Sequence, residues 1–202
     1  MKSIIILIGP MSAGKSTIAK LLSSKLSIPR FELDDVRQRF YTEIGYSEML
    51  ASQIVGEEGM MGLISYWKPF EAYAVERAIA EFKNCVVDFG AGHSVYEDEK
   101  LFSRVEEALK PVKNVIQILP SPDLDRSVEV VNQRFSELMI REVGKTDPEL
   151  LQLNEHFVRH PSNHLLAKKT IYTEDKKPAE IADEIVNWIQ SIEMVDDDKE
   201  EC

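Results

Sequence analysis

The chain has 202 residues, a formal net charge of −11 and 44% hydrophobic residues. That length supports one domain with a sizeable core, and the acidic balance argues against a nucleic-acid backbone as the main partner, which asks for a basic surface. Two cysteines, Cys85 in an apolar run and Cys202 at the last position, make no disulfide framework and point to a reducing compartment, so a cytoplasmic protein is expected.

The first predicted element is the strand Ile4-Ile5-Ile6-Leu7-Ile8, a β-branched run suited to a buried parallel sheet. It is too short for a signal peptide or a membrane span, and Gly9-Pro10 cuts it. The stretch Gly9-Pro10-Met11-Ser12-Ala13-Gly14-Lys15-Ser16-Thr17 then fits G-x-x-x-x-G-K-[ST], the phosphate-binding loop. Behind it Ile18, Leu21, Leu22 and Leu26 recur at helical spacing. A loop between a strand and a helix can wrap an anion in backbone N–H groups, helped by the helix N-terminus. Gly9, Met11, Ser12, Ala13, Gly14, Lys15, Ser16 and Thr17 are therefore the expected ATP-binding residues. Lys15 should reach the β- and γ-phosphates, and Ser16 should bind Mg²⁺.

A short second strand, 29–33, runs into Asp34-Asp35-Val36-Arg37, which opens a helix. Residues 47–66 read as a helix weakened by Gly56, Gly59 and Gly62. Pro69 fits the first turn of a separate helix, 69–82. Cys85-Val86-Val87-Asp88-Phe89 is the third strand, followed by the turn Gly90-Ala91-Gly92. Ser94-Val95-Tyr96-Glu97 has the form of a capping box and should start the next helix, to about 109. The fourth strand is 115–119. A charged helix with Arg126, Arg134 and Arg141 follows, then a polar segment with Asp147-Pro148 as a helix opener. The fifth strand is 170–173, and Pro178 opens a last helix with Ile181, Ile185, Trp188 and Ile189 on its core face. Residues 1–192 read as one domain, and 193–202 as an acidic disordered tail.

Short apolar strands alternating with helices predict an α/β fold, a five-stranded parallel sheet with helices on both faces. Ligands of such sheets sit at the carboxyl ends of the strands, where the phosphate loop, Asp34-Asp35, Asp88 and Gly90-Ala91-Gly92 all fall. Asp34 is the candidate base for an acceptor hydroxyl, with Asp35 in reserve; the plainer reading of Asp34 is a helix cap. Asp88 is placed to hold Mg²⁺ through water. Gly90, Ala91 and Gly92 would let a substrate approach the backbone. Pro178 is placed either to pack on adenine or simply to open its helix.

The loop with its flanks, Ile8 to Ile18, resembles the start of a shikimate kinase, with Ser12 where glycine more often sits. The acids after the second strand, the Gly-x-Gly turn, and Arg159-His160-Pro161 followed by Ala167 and Tyr172-Thr173 resemble that family too. The resemblance implies the P-loop kinase fold with a mobile lid, here about 142–154. It also implies transfer of the γ-phosphate of MgATP to a small anionic hydroxyl-bearing metabolite. Arg134 then resembles the lid arginine and Arg159 the substrate-binding arginine, while Arg126 and Arg141 read as surface ion pairs. That family's arginine three residues before a glutamate would fall at Tyr73, before Glu76, implying a weaker grip on a substrate carboxylate. Asp34-Asp35-Val36-Arg37 also resembles the Asp-Asp-x-Arg segment of polynucleotide-kinase-like enzymes, where the arginine holds a substrate phosphate. Val87-Asp88-Phe89-Gly90 resembles nucleoside monophosphate kinases. A nucleoside or nucleotide kinase is thus the alternative, and a non-catalytic ATP-binding regulatory module is the alternative of a different class. The expected partner is a small-molecule acceptor, with no nucleic acid or membrane, and the chain is expected as a monomer or weak dimer.

Overall fold

A computed structural model describes residues 4–200, with side chains described as far as 194. The apolar run β1 (Ile5–Ile8) forms the centre of a five-stranded sheet of order β2-β3-β1-β4-β5. Its neighbours are β3 (Val86–Asp88) and β4 (Asn114–Leu119), and the edges are β2 (Arg30–Glu32) and β5 (Lys169–Tyr172). Every pairing is parallel. The side chains of β1 alternate between two cores, as a strand's period of two requires. Ile6 and Ile8 join Val87 and Phe89 under α2 (Leu33–Glu43), α3 (Glu48–Glu81) and α4 (Glu99–Leu109). Ile5 and Leu7 join Val86, Ile116 and Ile118 under α1 (Lys15–Leu26), α5 (Leu124–Val143) and α8 (Pro178–Glu200). Burying each such side chain contributes roughly 1.5–3 kcal/mol. The expected α/β architecture is the observed one, and no helix among the described residues is long and apolar enough to cross a membrane.

Three local expectations change. The helices expected over 47–66 and 69–82 are one element, α3, in which Pro69 is internal and the non-helical residue is Gly59, at φ 71°. Glycine alone adopts that conformation cheaply, so the break falls there. Ser94 caps no helix: it is buried in a 3₁₀ turn, Ala91–Ser94, where its hydroxyl donates to Asn163. The N-cap of α4 is Asp98, whose Oδ1 accepts from the N–H groups of Lys100 and Leu101. The segment expected as a lid is the end of α5, an exposed turn entered through Gly144 at φ 77°, and most of α6 (Pro148–Arg159). A short α7 (Ser162–Leu166) leads into β5. The backbone of α8 continues as helix to Glu200, whereas the tail was expected to begin at 193; the rest of that acidic run lies outside the described residues.

Candidate active site

Gly9 leaves β1 at φ 137°, and a Cβ there would lie 2.5 Å from the carbonyl oxygen of Ile118. Only glycine lets the loop turn this close to β4. Helices α3, α4, α5 and α6 start on side-chain caps from Ser47, Asp98, Asp123 and Asp147. Helix α1 starts on Gly14 with no side-chain cap, which leaves its first N–H groups for an anion. Ser12 holds the left-handed conformation at φ 57°. Lys15 is buried, and its Nζ donates to the carbonyl oxygen of Pro10 at 2.9 Å. Burial lowers its pKa, against the opposing pull of the Asp88 and Asp34 charges.

The carboxyl end of β3 delivers Asp88 beside this lysine. Ser16 Oγ donates to Asp88 Oδ2, while Asp88 Oδ1 is buried without a partner. Burial raises the Asp88 pKa, and Lys15 and Ser16 pull it back down. An acceptor buried and unpaired is costly. A hydrated Mg²⁺ ion between Ser16 and Asp88 fits this donor set, since Mg²⁺ prefers oxygen ligands and keeps several waters.

Lys15, Ser16 and Asp88 share a cavity of about 180 Å³ with Glu32, Asp34 and Gly90. Asp34 sits in the first turn of α2, and a Cβ on Gly90 would collide with its carboxylate. That collision, more than a turn, explains the glycine. Arg37, one turn on, lies 3.2 Å from Asp34 and stacks 4.8 Å over the Trp67 ring. Asp35 does not join them. Consecutive helical residues point about 100° apart, and Asp35 lines a different groove with Arg39 and Glu81. Beneath Asp34 lies His93, fully buried, its Nδ1 4.0 Å from Asp34 Oδ1 and neither ring nitrogen partnered. Burial depresses its pKa.

On the far side of the loop a cleft of about 650 Å³ is lined by Gly14, Lys15 and Thr17 and, from α5, by Arg134 and Arg141. Arg134 points to this cleft from the middle of α5. Arg141, two turns further along the same helix face, makes the expected surface ion pair, 3.5 Å from Glu142, and also lines this cleft. Arg126 is held outside by Glu174 and Glu129, as expected. Asn154, which the sequence did not single out, is buried; its Oδ1 accepts from the Met11 N–H at 2.8 Å, and its Nδ2 donates to Asn132. Pro178 is exposed and is not among the residues lining the cleft; it opens α8.

A shikimate kinase family model matches residues 11–190. The chain belongs to the shikimate kinase family. Among curated relatives, a shikimate kinase from Persephonella marina is 30% identical, over 92% of this chain and 98% of its own length. Shikimate kinase 1 of Yersinia pestis is 26% identical over 93% and 96%. Among solved structures, the Acinetobacter baumannii shikimate kinase in complex with shikimate superposes with a TM-score of 0.65 at 23% identity, covering 94% of this chain and 93% of that one. The Aquifex aeolicus enzyme gives 0.56 at 21%, over 93% and 96%. The protein is a P-loop kinase that phosphorylates a hydroxyl at the expense of ATP, which sets the regulatory-module alternative aside.

Against the family pattern, two expected positions move. Tyr73 and Glu76 are not beside the site: the Tyr73 hydroxyl donates to Glu43 and Glu76 accepts from Arg104, both on the outside of α3. The basic residue three before a glutamate is instead Lys68, before Glu71. Both are buried, and Lys68 Nζ donates to Glu71 Oε2 at 2.8 Å and to the carbonyls of Gly92 at 3.0 Å and Val95 at 2.9 Å. A Cβ on Gly92 would strike the Glu71 carboxylate, so the pair and the glycine turn fit as one unit. Arg159 is not brought to Asp34 either. It lies one turn after Glu155 on the exposed face of α6, and its guanidinium donates to Glu155 and Asp125, each at 2.7 Å.

Proposed function

We propose that this shikimate kinase family member moves the γ-phosphoryl group of MgATP to a hydroxyl of shikimate or of a similarly small hydroxylated carboxylate. The observation that carries this reading is the shared cavity in which the Asp34 carboxylate faces Lys15, Ser16 and Asp88. Asp34 accepts the proton of the attacking hydroxyl and orients its oxygen. The uncapped start of α1 and the Lys15 ammonium hold the phosphates. Ser16 and Asp88 hold Mg²⁺, which when bound offsets phosphate charge. Arg134 and Arg141 face the same phosphates from α5 and stabilise the charge on the transferring group. Closure of the exposed turn after Arg141 excludes water.

The acceptor's carboxylate falls to Arg37. Lysine has three donors, and Lys68 spends all three inside the protein. The family's usual arginine at that spacing would have five. This chain therefore grips the carboxylate less firmly, for a different reason than Tyr73 suggested. A phosphorylated acceptor is the second reading, favoured by Arg37 standing one turn from Asp34. A coupled ADP-release assay over shikimate, gluconate, nucleosides, nucleoside monophosphates and sugar phosphates decides between them. Turnover is expected on shikimate with a raised KM; preference for a phosphorylated acceptor overturns the first reading.

A further inference from the structure

We propose that Glu97, His156 and His160 form a binding site for one transition-metal ion of the zinc class, apart from the Mg²⁺ position at Ser16 and Asp88. Each of the three offers a ligand atom, and these atoms lie within 4.8 Å of one another. His156 and His160 stand four residues apart at the end of α6, one turn of helix, with ring centroids 5.1 Å apart. That spacing puts two imidazoles on one face. Glu97 comes from the loop after the glycine turn, and its Oε1 lies 2.7 Å from His156 Nε2. Two imidazoles and one carboxylate are a zinc donor set, with a fourth place for water. Imidazole favours zinc, copper or nickel over Mg²⁺.

The geometry needs only small adjustments. Donors at zinc distances of about 2.0–2.1 Å on a tetrahedron stand roughly 3.3 Å apart. Glu97 and His156 must open slightly and His160 must close in. The Ser162 N–H contact to His160 Nδ1, already long at 3.3 Å, is given up when the ring ligates. His156 and Glu97 are 42% and 58% exposed, so the ion has a path in. Glu97 lies two residues beyond Val95, which accepts from Lys68, and His156 two residues beyond Asn154, which grips the phosphate loop. A bound ion would pin the acceptor-side turn to the helix that touches the loop.

The test is calorimetric titration of Zn²⁺ into the full chain, stripped with a chelator and held in excess MgCl₂ to fill the Ser16–Asp88 position. One ion should bind per chain. His156→Gln, His160→Gln and Glu97→Gln should each weaken binding by about 100-fold. Cobalt should give visible bands of a four-coordinate site in the wild type and lose them in His156→Gln. All three side chains are at least partly exposed, and a circular-dichroism melt without metal should show that the variants fold. No stoichiometric zinc binding, or equal binding by the wild type and all three variants, overturns the site.

Discussion

On the phosphate side of the site Asp88 keeps one buried oxygen without a partner, Lys15 makes a single hydrogen bond among the described residues, and α1 begins without a side-chain cap. On the acceptor side Lys68 spends every donor on Glu71, Gly92 and Val95, and Arg159, expected there, is kept away on the surface by Glu155 and Asp125. One side holds groups short of partners that a ligand can supply. The other spends its charges on its own architecture, so that they shape the pocket and leave recognition to fewer residues. Affinity for nucleotide is built into the first, and choice of acceptor depends on how the second is supported.

The largest effect should come from breaking the closed side. Glu71→Ala leaves the Lys68 charge buried and short of a partner, and should remove about 3–5 kcal/mol of unfolding free energy, read by urea denaturation. Lys68→Met combined with Glu71→Leu should recover most of that loss. A loss below about 1 kcal/mol for Glu71→Ala would show that the pair does not hold the turn.

On the open side Lys15→Ala should lower kcat by about a hundredfold or more, roughly 2.7 kcal/mol or above. Its unfolding free energy should change less than in Glu71→Ala, because removing a buried, poorly partnered cation is set against removing the charge that pulls on buried Asp88. Loss of activity together with as much stability as in Glu71→Ala would contradict the contrast between the two sides.

His93 lies at the boundary between the two sides, with its Nδ1 4.0 Å from Asp34 Oδ1. Its folded pKa lies below the unfolded value of about 6.5, so below that pH the unfolded chain takes up a proton that the folded chain resists. Stability should fall as pH drops from about 6.5 towards the folded pKa, at up to about 1.4 kcal/mol per pH unit from this residue. Asp34, Glu71, Arg37 and Lys68 all act on the ring, so the comparison that isolates it is the wild type against His93→Gln at pH 7.5 and 5.5. The same slope in both would remove His93 as its source. The smallest effect belongs to Ser12. Replacing it with glycine relieves a left-handed conformation worth about 1–2 kcal/mol and loses part of that to chain entropy. A net gain of up to about 1 kcal/mol should appear in thermal unfolding.

The phosphate loop, the five strands, Asp34 and Asp88 were legible because each is written in a short local pattern. Arg141 was legible in principle: it lies two helical turns from Arg134, and that spacing puts both on one face. Lys68 was hidden by Pro69. Reading the proline as a helix start separated Lys68 from Glu71 and moved the family's paired residues five positions along, to Tyr73 and Glu76. Asn154 carried no local signal, since its partner Met11 is 143 residues away. Arg159 fitted a motif, but the motif did not show that Glu155 and Asp125 would reach it first.

The position of β1 at the centre of the sheet bears on how the chain is made. Its partners in the register, Val86 and Asn114, come about 80 and 110 residues after Ile5, so at roughly 5–20 residues per second the strand bearing the phosphate loop waits some 5–20 s on the ribosome for its neighbours. During that time an uncharged β-branched run has no sheet to join, the circumstance in which nascent chains associate wrongly. The segment most readily recognised by eye is made first and waits longest for its sheet neighbours, and the chain's yield on synthesis should depend on chaperones more than its final stability suggests.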